Sequence, residues 1–146
     1  MRRALGEGFE LDDERARIDV AAVHAFISER SYWGQGRARE RVQAAIDGSA
    51  RVVGLYRGRE QVGFARAVSD GATVAYLADV YVLEECRGRG LGLELVREIV
   101  DAGALKDMHW LLHTRDAEAL YEKAAFRPGP LRYRLMERPR GYDSRP

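Results

Sequence analysis

A single cysteine, Cys86, serves all 146 residues. One thiol excludes an internal disulfide framework and a cysteine metal cluster. Three histidines, His24, His109 and His113, lie apart without metal-ligand spacing, so no metal is expected. An excess of either charge is missing too: 24 Lys and Arg against 23 Asp and Glu leave a net charge of +1. The arginines are balanced by acids and no nucleic-acid recognition motif is present, which argues against a nucleic-acid module. No apolar run approaches the roughly 20 residues that span a bilayer, so no membrane partner is expected. Met1-Arg2-Arg3 has no apolar segment behind it, so no secretory signal is expected and a cytoplasmic location is the default.

What is present is ordinary soluble composition, 46% apolar and 32% charged, in a length that buries one sizeable core. A single domain over 1–146 is expected, with loose termini at 1–8 and 138–146. Phe9 to Leu11 alternates as a short strand. Asp19 suits the N-cap of a helix carrying Val20, Val23 and Ile27 on one face, and a second helix runs from about Arg37 to Ile46. Strands follow at Val52–Tyr56 and Gln61–Val68, and Asp70-Gly71 signals a turn before a third at Thr73–Val82. A helix follows on Leu91, Leu95 and Ile99. Beyond it come a strand at Trp110–His113, a helix carrying Tyr121 with Asp116 as its candidate N-cap, and a final strand at Arg132–Met136. The fold class is α/β (α+β): a mixed, mostly antiparallel twisted sheet flanked by about four helices.

The most informative stretch is Val80 to Val96, an apolar strand, a glycine-rich turn and an amphipathic helix. The first N–H groups of a helix lack internal partners and lie at the positive end of its dipole. Phosphate sits well there. Gly88, Gly90 and Gly92 remove side chains that would hold a ligand off the backbone, and Arg87 and Arg89 offer charged donors to phosphate oxygens. A dinucleotide fingerprint would need glycine where Leu93 stands, and no G-x-x-x-x-G-K-[ST] run occurs. What fits is Arg87-x-x-Gly90-x-Gly92, which resembles the R/Q-x-x-G-x-G/A loop of the GNAT superfamily of N-acetyltransferases. Downstream, Ala117-x-x-Leu120-Tyr121-x-Lys123-x-x-Phe126 resembles that family's A-x-x-L-Y-x-x-x-G-F ending.

The resemblance, over roughly 50 to 137, implies a fold with the element order above. It also implies acetyl-coenzyme A as co-substrate, with its pyrophosphate held by Arg87, Gly88, Arg89, Gly90, Leu91 and Gly92. The strand at Tyr81 and Val82 would contact the pantetheine arm, and Tyr121 would be the acid that protonates the leaving thiolate. A general base is harder to assign, because Ala78 stands where several relatives have glutamate. Asp79 is a candidate for that role or for substrate binding, with structuring of the sheet as the alternative. His24, His109 and His113 are weaker candidates.

The segment between the first two helices borders the acceptor cleft in this fold. Tyr32 and Trp33 there either bind the acceptor amine or plug the core. Cys86 reads as a bystander. The expected function is transfer of an acetyl group to a primary amine, on a small molecule or a protein, by direct attack in a ternary complex. The alternative is a non-catalytic acetyl-coenzyme A-binding sensor or partner module. A homodimer is left open.

Overall fold

Six segments pair as one sheet, with the central strands buried on both faces. In the computed structural model, which describes residues 1–129 and 134–138, these are β1 (Arg2–Gly6), β2 (Phe9–Asp12), β3 (Arg51–Arg57), β4 (Glu60–Ser69), β5 (Val74–Val82) and β6 (His109–Leu111). Spatial order follows chain order. Every neighbouring pair is antiparallel except β5 and β6, which are parallel. Helices α1 (Val20–Arg30), α2 (Arg39–Asp47), α3 (Leu91–Asp101) and α4 (Glu118–Glu122) complete the set. None is long and apolar enough to cross a membrane.

Two apolar clusters divide the sheet's faces. Val23, Phe26 and Ile27 of α1 and Val42 and Ile46 of α2 pack with Val52, Phe64 and Tyr81. Leu91, Leu95, Val96, Ile99 and Val100 of α3 pack with Val53, Leu55, Val62 and Leu77 on the other side. Burying each such side chain contributes about 1.5–3 kcal/mol, which is what fixes α3 and the loop before it. Asp19 caps α1 as expected, its carboxylate accepting the Ala22 N–H at 3.0 Å. The far end of α3 is held by Arg51, whose Nη1 donates to the carbonyls of Glu98 and Ala102, both at 2.6 Å.

Two expectations change. The first residues are not loose: Arg2–Gly6 pairs with β2, and Arg3 reaches Glu94 at 3.0 Å and Glu98 at 2.8 Å on α3. Composition alone hid this, because an edge strand needs little apolar content once it has a hydrogen-bonding neighbour. Asp116 does not cap α4. Ala117 occupies that position and its N–H donates to Thr114 Oγ1 instead. The expected last strand, 132–136, lies partly outside the described residues, and 134–136 are not strand. The tail from 139 lies outside them altogether.

Candidate active site

Two irregularities in β5 make room for a site. Phe64 pairs with Tyr81 and Arg66 with Ala78, so Asp79 and Val80 together stand opposite Ala65. This is a β-bulge, and Asp79 takes φ +52 to make it. On its other side β5 pairs with β6 only from Val74 to Tyr76. Beyond Tyr76 the strand edge therefore faces open space toward α4. An open cavity of about 1280 Å³ occupies this gap, running from the Gly88–Gly92 loop past β5 to the 31–37 segment.

The residues expected from sequence converge on its wall. Arg87, Gly88, Gly90, Leu91 and Gly92 line one end, Tyr81, Val82 and Asp79 the floor, Tyr121 one side, and Tyr32 and Trp33 the far end. Arg89 is the exception, an exposed side chain paired with Glu7 at 2.8 Å.

The glycine loop has the geometry of an anion cradle. Gly88 and Gly90 both hold φ +75, with nothing within 4 Å of where a Cβ would stand. Gly90 is the N-cap of α3. The first helical N–H to be satisfied within this turn is that of Glu94, at the Gly90 carbonyl, 3.1 Å away. The N–H groups of Leu91, Gly92 and Leu93 have no acceptor inside the helix. Arg87 ties the loop to the strand, its Nε donating to the Val82 carbonyl at 2.9 Å. Cys86 is fully buried beneath and does not line the cavity.

Tyr121 stands half-buried on α4 with its ring edge-on to Phe126 at 6.0 Å. Burial pushes its phenol up to about 12, helped by Tyr32 and Asp116, so the hydroxyl is protonated at neutral pH. Tyr81 turns its side chain away from this chemistry, stacked on Phe26 at 3.9 Å.

Asp79 is engaged on all sides. Its Oδ2 accepts from Arg66 Nε at 2.6 Å and Arg37 Nη1 at 3.0 Å, and its Oδ1 from the Trp33 indole at 2.8 Å. Burial alone would raise the carboxyl, but the guanidinium groups of Arg66 and Arg37 outweigh it and hold it below the usual range. A carboxylate so paired is a poor proton acceptor. It positions Trp33, which together with Tyr32 remains 38% exposed on the cavity wall. Both rings also pack: Trp33 lies edge-on to Tyr32 at 5.0 Å and 6.4 Å from Phe26.

Sequence reading missed Arg37, Arg66, Tyr76 and Arg115 and ranked His113 only as a weaker candidate; all five lie on the same wall. The Tyr76 hydroxyl lies 2.7 Å from His113 Nδ1. The Arg115 guanidinium covers the Tyr32 ring at 3.9 Å, and the Arg115 N–H donates to the Tyr32 hydroxyl at 2.9 Å. One signal was available for the first pair: a parallel partner for β5 brings the residues after β6 alongside Tyr76. His24, by contrast, is structural, bonded to the Arg37 carbonyl at 3.1 Å. Asp70 closes its own turn on Ala72 and Thr73. Among the described residues no three His, Cys, Asp or Glu side chains gather as metal ligands would.

Comparison with known proteins agrees with this geometry. The description "Acetyltransferase (GNAT) domain" matches residues 47–128. A candidate acetyltransferase of Gibberella zeae is 30% identical over 105 residues, 60% of this chain and 59% of that protein's length. A crystal structure of a candidate GNAT acetyltransferase from Xanthomonas campestris pv. campestris superposes with TM-score 0.83 at 35% identity, over 89% of this chain and 92% of that one. A structure of a candidate acetyltransferase from Deinococcus radiodurans R1 shares the fold at TM-score 0.73 and 22% identity, over 96% and 94% of the two chains. With its bulged β5, glycine loop and α3 placed as described, the chain belongs to the GNAT family of acetyltransferases.

Proposed function

We propose that this chain moves the acetyl group of acetyl-coenzyme A to a primary amine, by direct attack while both substrates are bound. The observation that carries the reading is one cavity with an anion cradle at one end, aromatic rings at the other and Tyr121 between. The residues fit the co-substrate. Gly88 and Gly90 leave open space at the loop, and three helix N–H groups with Arg87 suit a pyrophosphate. The edge of β5 beyond Tyr76, unpaired among the described residues, suits an extended, amide-bearing arm laid alongside it as a strand would be.

A backbone N–H on that edge polarises the thioester carbonyl, and the protonated Tyr121 hydroxyl donates to the departing thiolate. Direct attack is favoured over an acyl-enzyme because the sole thiol, Cys86, is buried away from the cavity. Tyr32, Trp33 and Asp79 form the acceptor end. The two rings offer a flat apolar or cation–π surface to an amine, and Asp79 fixes Trp33.

The test is incubation of the full chain with acetyl-coenzyme A and a panel of amines: a polyamine, an aminoglycoside, amino acids and a lysine peptide. Free thiol and product mass are read together. An amide product from at least one acceptor is expected. Thermal stabilisation by acetyl-coenzyme A with no amide from any acceptor would instead mark a binding module.

A further inference from the structure

Amide formation requires that the attacking nitrogen lose a proton, and Ala78, beside the bulge of β5, has no group to accept one. Most other candidates on the cavity wall are committed. Asp79 is consumed by Arg66, Arg37 and Trp33. Asp116 is exposed on the rim, 3.6 Å from Arg115. The Tyr32 hydroxyl accepts the Arg115 N–H. Tyr121 is held protonated by burial. One pair combines a proton-accepting nitrogen with a hydroxyl on the wall.

Resting on the acetyltransferase reading, we propose that Tyr76 and His113 form a relay that carries the proton from the acceptor nitrogen to solvent. Tyr76 is half-buried on β5, and its hydroxyl meets His113 Nδ1 at 2.7 Å. The parallel register that sets Tyr76 opposite Leu111 places His113 two residues further along, exposed at the cavity's rim. Both residues line the cavity, and His113 is the more exposed of the two.

The step balances within the pair. As nitrogen bonds to the carbonyl carbon, its N–H bond breaks and an O–H bond forms on Tyr76. The original Tyr76 O–H breaks and an N–H forms at His113 Nδ1. The exposed imidazolium then releases its proton to water. Imidazole is the side chain suited to this at neutral pH. The groups around the pair are Arg66 from β4, Asp79 from β5, Tyr32 and Arg115 from the flanking segments, Asp116 before α4 and Tyr121 on it. Burial keeps the Tyr76 phenol above its ordinary range, so at rest it is a conduit and not a standing phenolate.

The experiment compares wild type, Tyr76→Phe, His113→Gln and the double variant, using the best amine of the panel and following kcat and KM across pH. Each single variant is expected to lose about 10²-fold in kcat. The KM for acetyl-coenzyme A and the thermal shift it gives should not move. The double variant should be no slower than the worse single one, because a relay fails as a unit. Either single variant within threefold of wild type, or losses that multiply in the double variant, overturns the relay and leaves acetyl transfer standing. A wild type that acetylates no amine overturns the acetyltransferase reading, and the relay with it.

Discussion

The indole N–H of Trp33 donates to Oδ1 of Asp79 across 2.8 Å, although 46 positions separate the two residues. The bond ties the segment between α1 and α2 to the bulge of β5. Arg37, from that same segment, and Arg66, from β4, close on the other carboxylate oxygen. Three elements are thus fastened at the point where the cavity floor bends.

Removing this carboxylate should be costly. Asp79→Ala leaves the Arg37 and Arg66 guanidinium groups facing each other, their side chains only 21% and 15% exposed. A loss of about 3 kcal/mol in urea unfolding at pH 7 is expected, at the low end for a buried pair because both arginines retain some solvent. The pH dependence has a definite sign. The folded carboxyl titrates below its ordinary value, so its stabilisation is complete above about pH 4 and fades as pH falls through the folded value. The gap between wild type and variant should therefore narrow in acid. A gap that stays constant down to pH 2 would refute the assignment.

At the other end of the cavity, Gly90 and Gly92 differ in kind. Gly90 sits at φ +75, where any side chain costs about 1–2 kcal/mol, and a carboxylate there opposes the anion cradle. Gly92 has ordinary helical space, its added Cβ meeting Leu120 at 3.8 Å and Val82 at 3.9 Å. Gly90→Glu should abolish the thermal shift given by acetyl-coenzyme A. Wild type should gain about 2.7 kcal/mol at a hundredfold its Kd. Gly92→Ala should keep that shift and add up to about 1 kcal/mol of intrinsic stability. Binding retained by Gly90→Glu would remove the loop from cofactor recognition.

Tyr121→Phe separates binding from turnover. The ring packs on Phe126 and the core, which phenylalanine preserves, while the hydroxyl alone is lost. The KM for acetyl-coenzyme A should stay level and kcat should fall about 10²-fold. Because burial pushes the phenol up to about 12, its protonated form persists well above the ordinary tyrosine range. Wild-type activity should accordingly show no loss from this group up to about pH 10. Equal kcat in the variant would take Tyr121 out of the mechanism.

Local signals in the chain located most of the fold. Asp19 before an apolar face, the alternating strands and the glycine loop each rest on contacts a few residues apart. Those signals survive without knowledge of the tertiary arrangement. Long-range pairing was not legible in the same way. Arg2–Gly6 becomes a strand because β2 and α3 offer partners, including Glu98 at a separation of 95 positions. For Asp79 the sequence leaves a base, a substrate contact and a sheet-structuring residue all open until Arg66 and Arg37 arrive from other elements. His113 reads as a stray histidine until the parallel β5–β6 register delivers it to Tyr76.

The end of α4 carries a strain that a single substitution should release. The Phe126 N–H donates to the Tyr121 carbonyl at 3.1 Å and the Ala125 N–H to the Glu122 carbonyl at 3.0 Å. Those two bonds, with Phe126 packed against Tyr121, are the Schellman ending of a helix. That ending places its penultimate residue in the left-handed region, and Ala125 accordingly holds φ +65. Glycine is favoured there, and it is what the family's A-x-x-L-Y-x-x-x-G-F pattern carries. Alanine at this angle costs about 1–2 kcal/mol, of which glycine's greater freedom in the unfolded chain returns about half. Ala125→Gly should therefore raise stability by about 0.5–1 kcal/mol in urea unfolding. Because α4 carries Tyr121, the same change should hold the hydroxyl in place without altering the KM for acetyl-coenzyme A. A destabilised Ala125→Gly would mean that the helix does not end in this turn in solution.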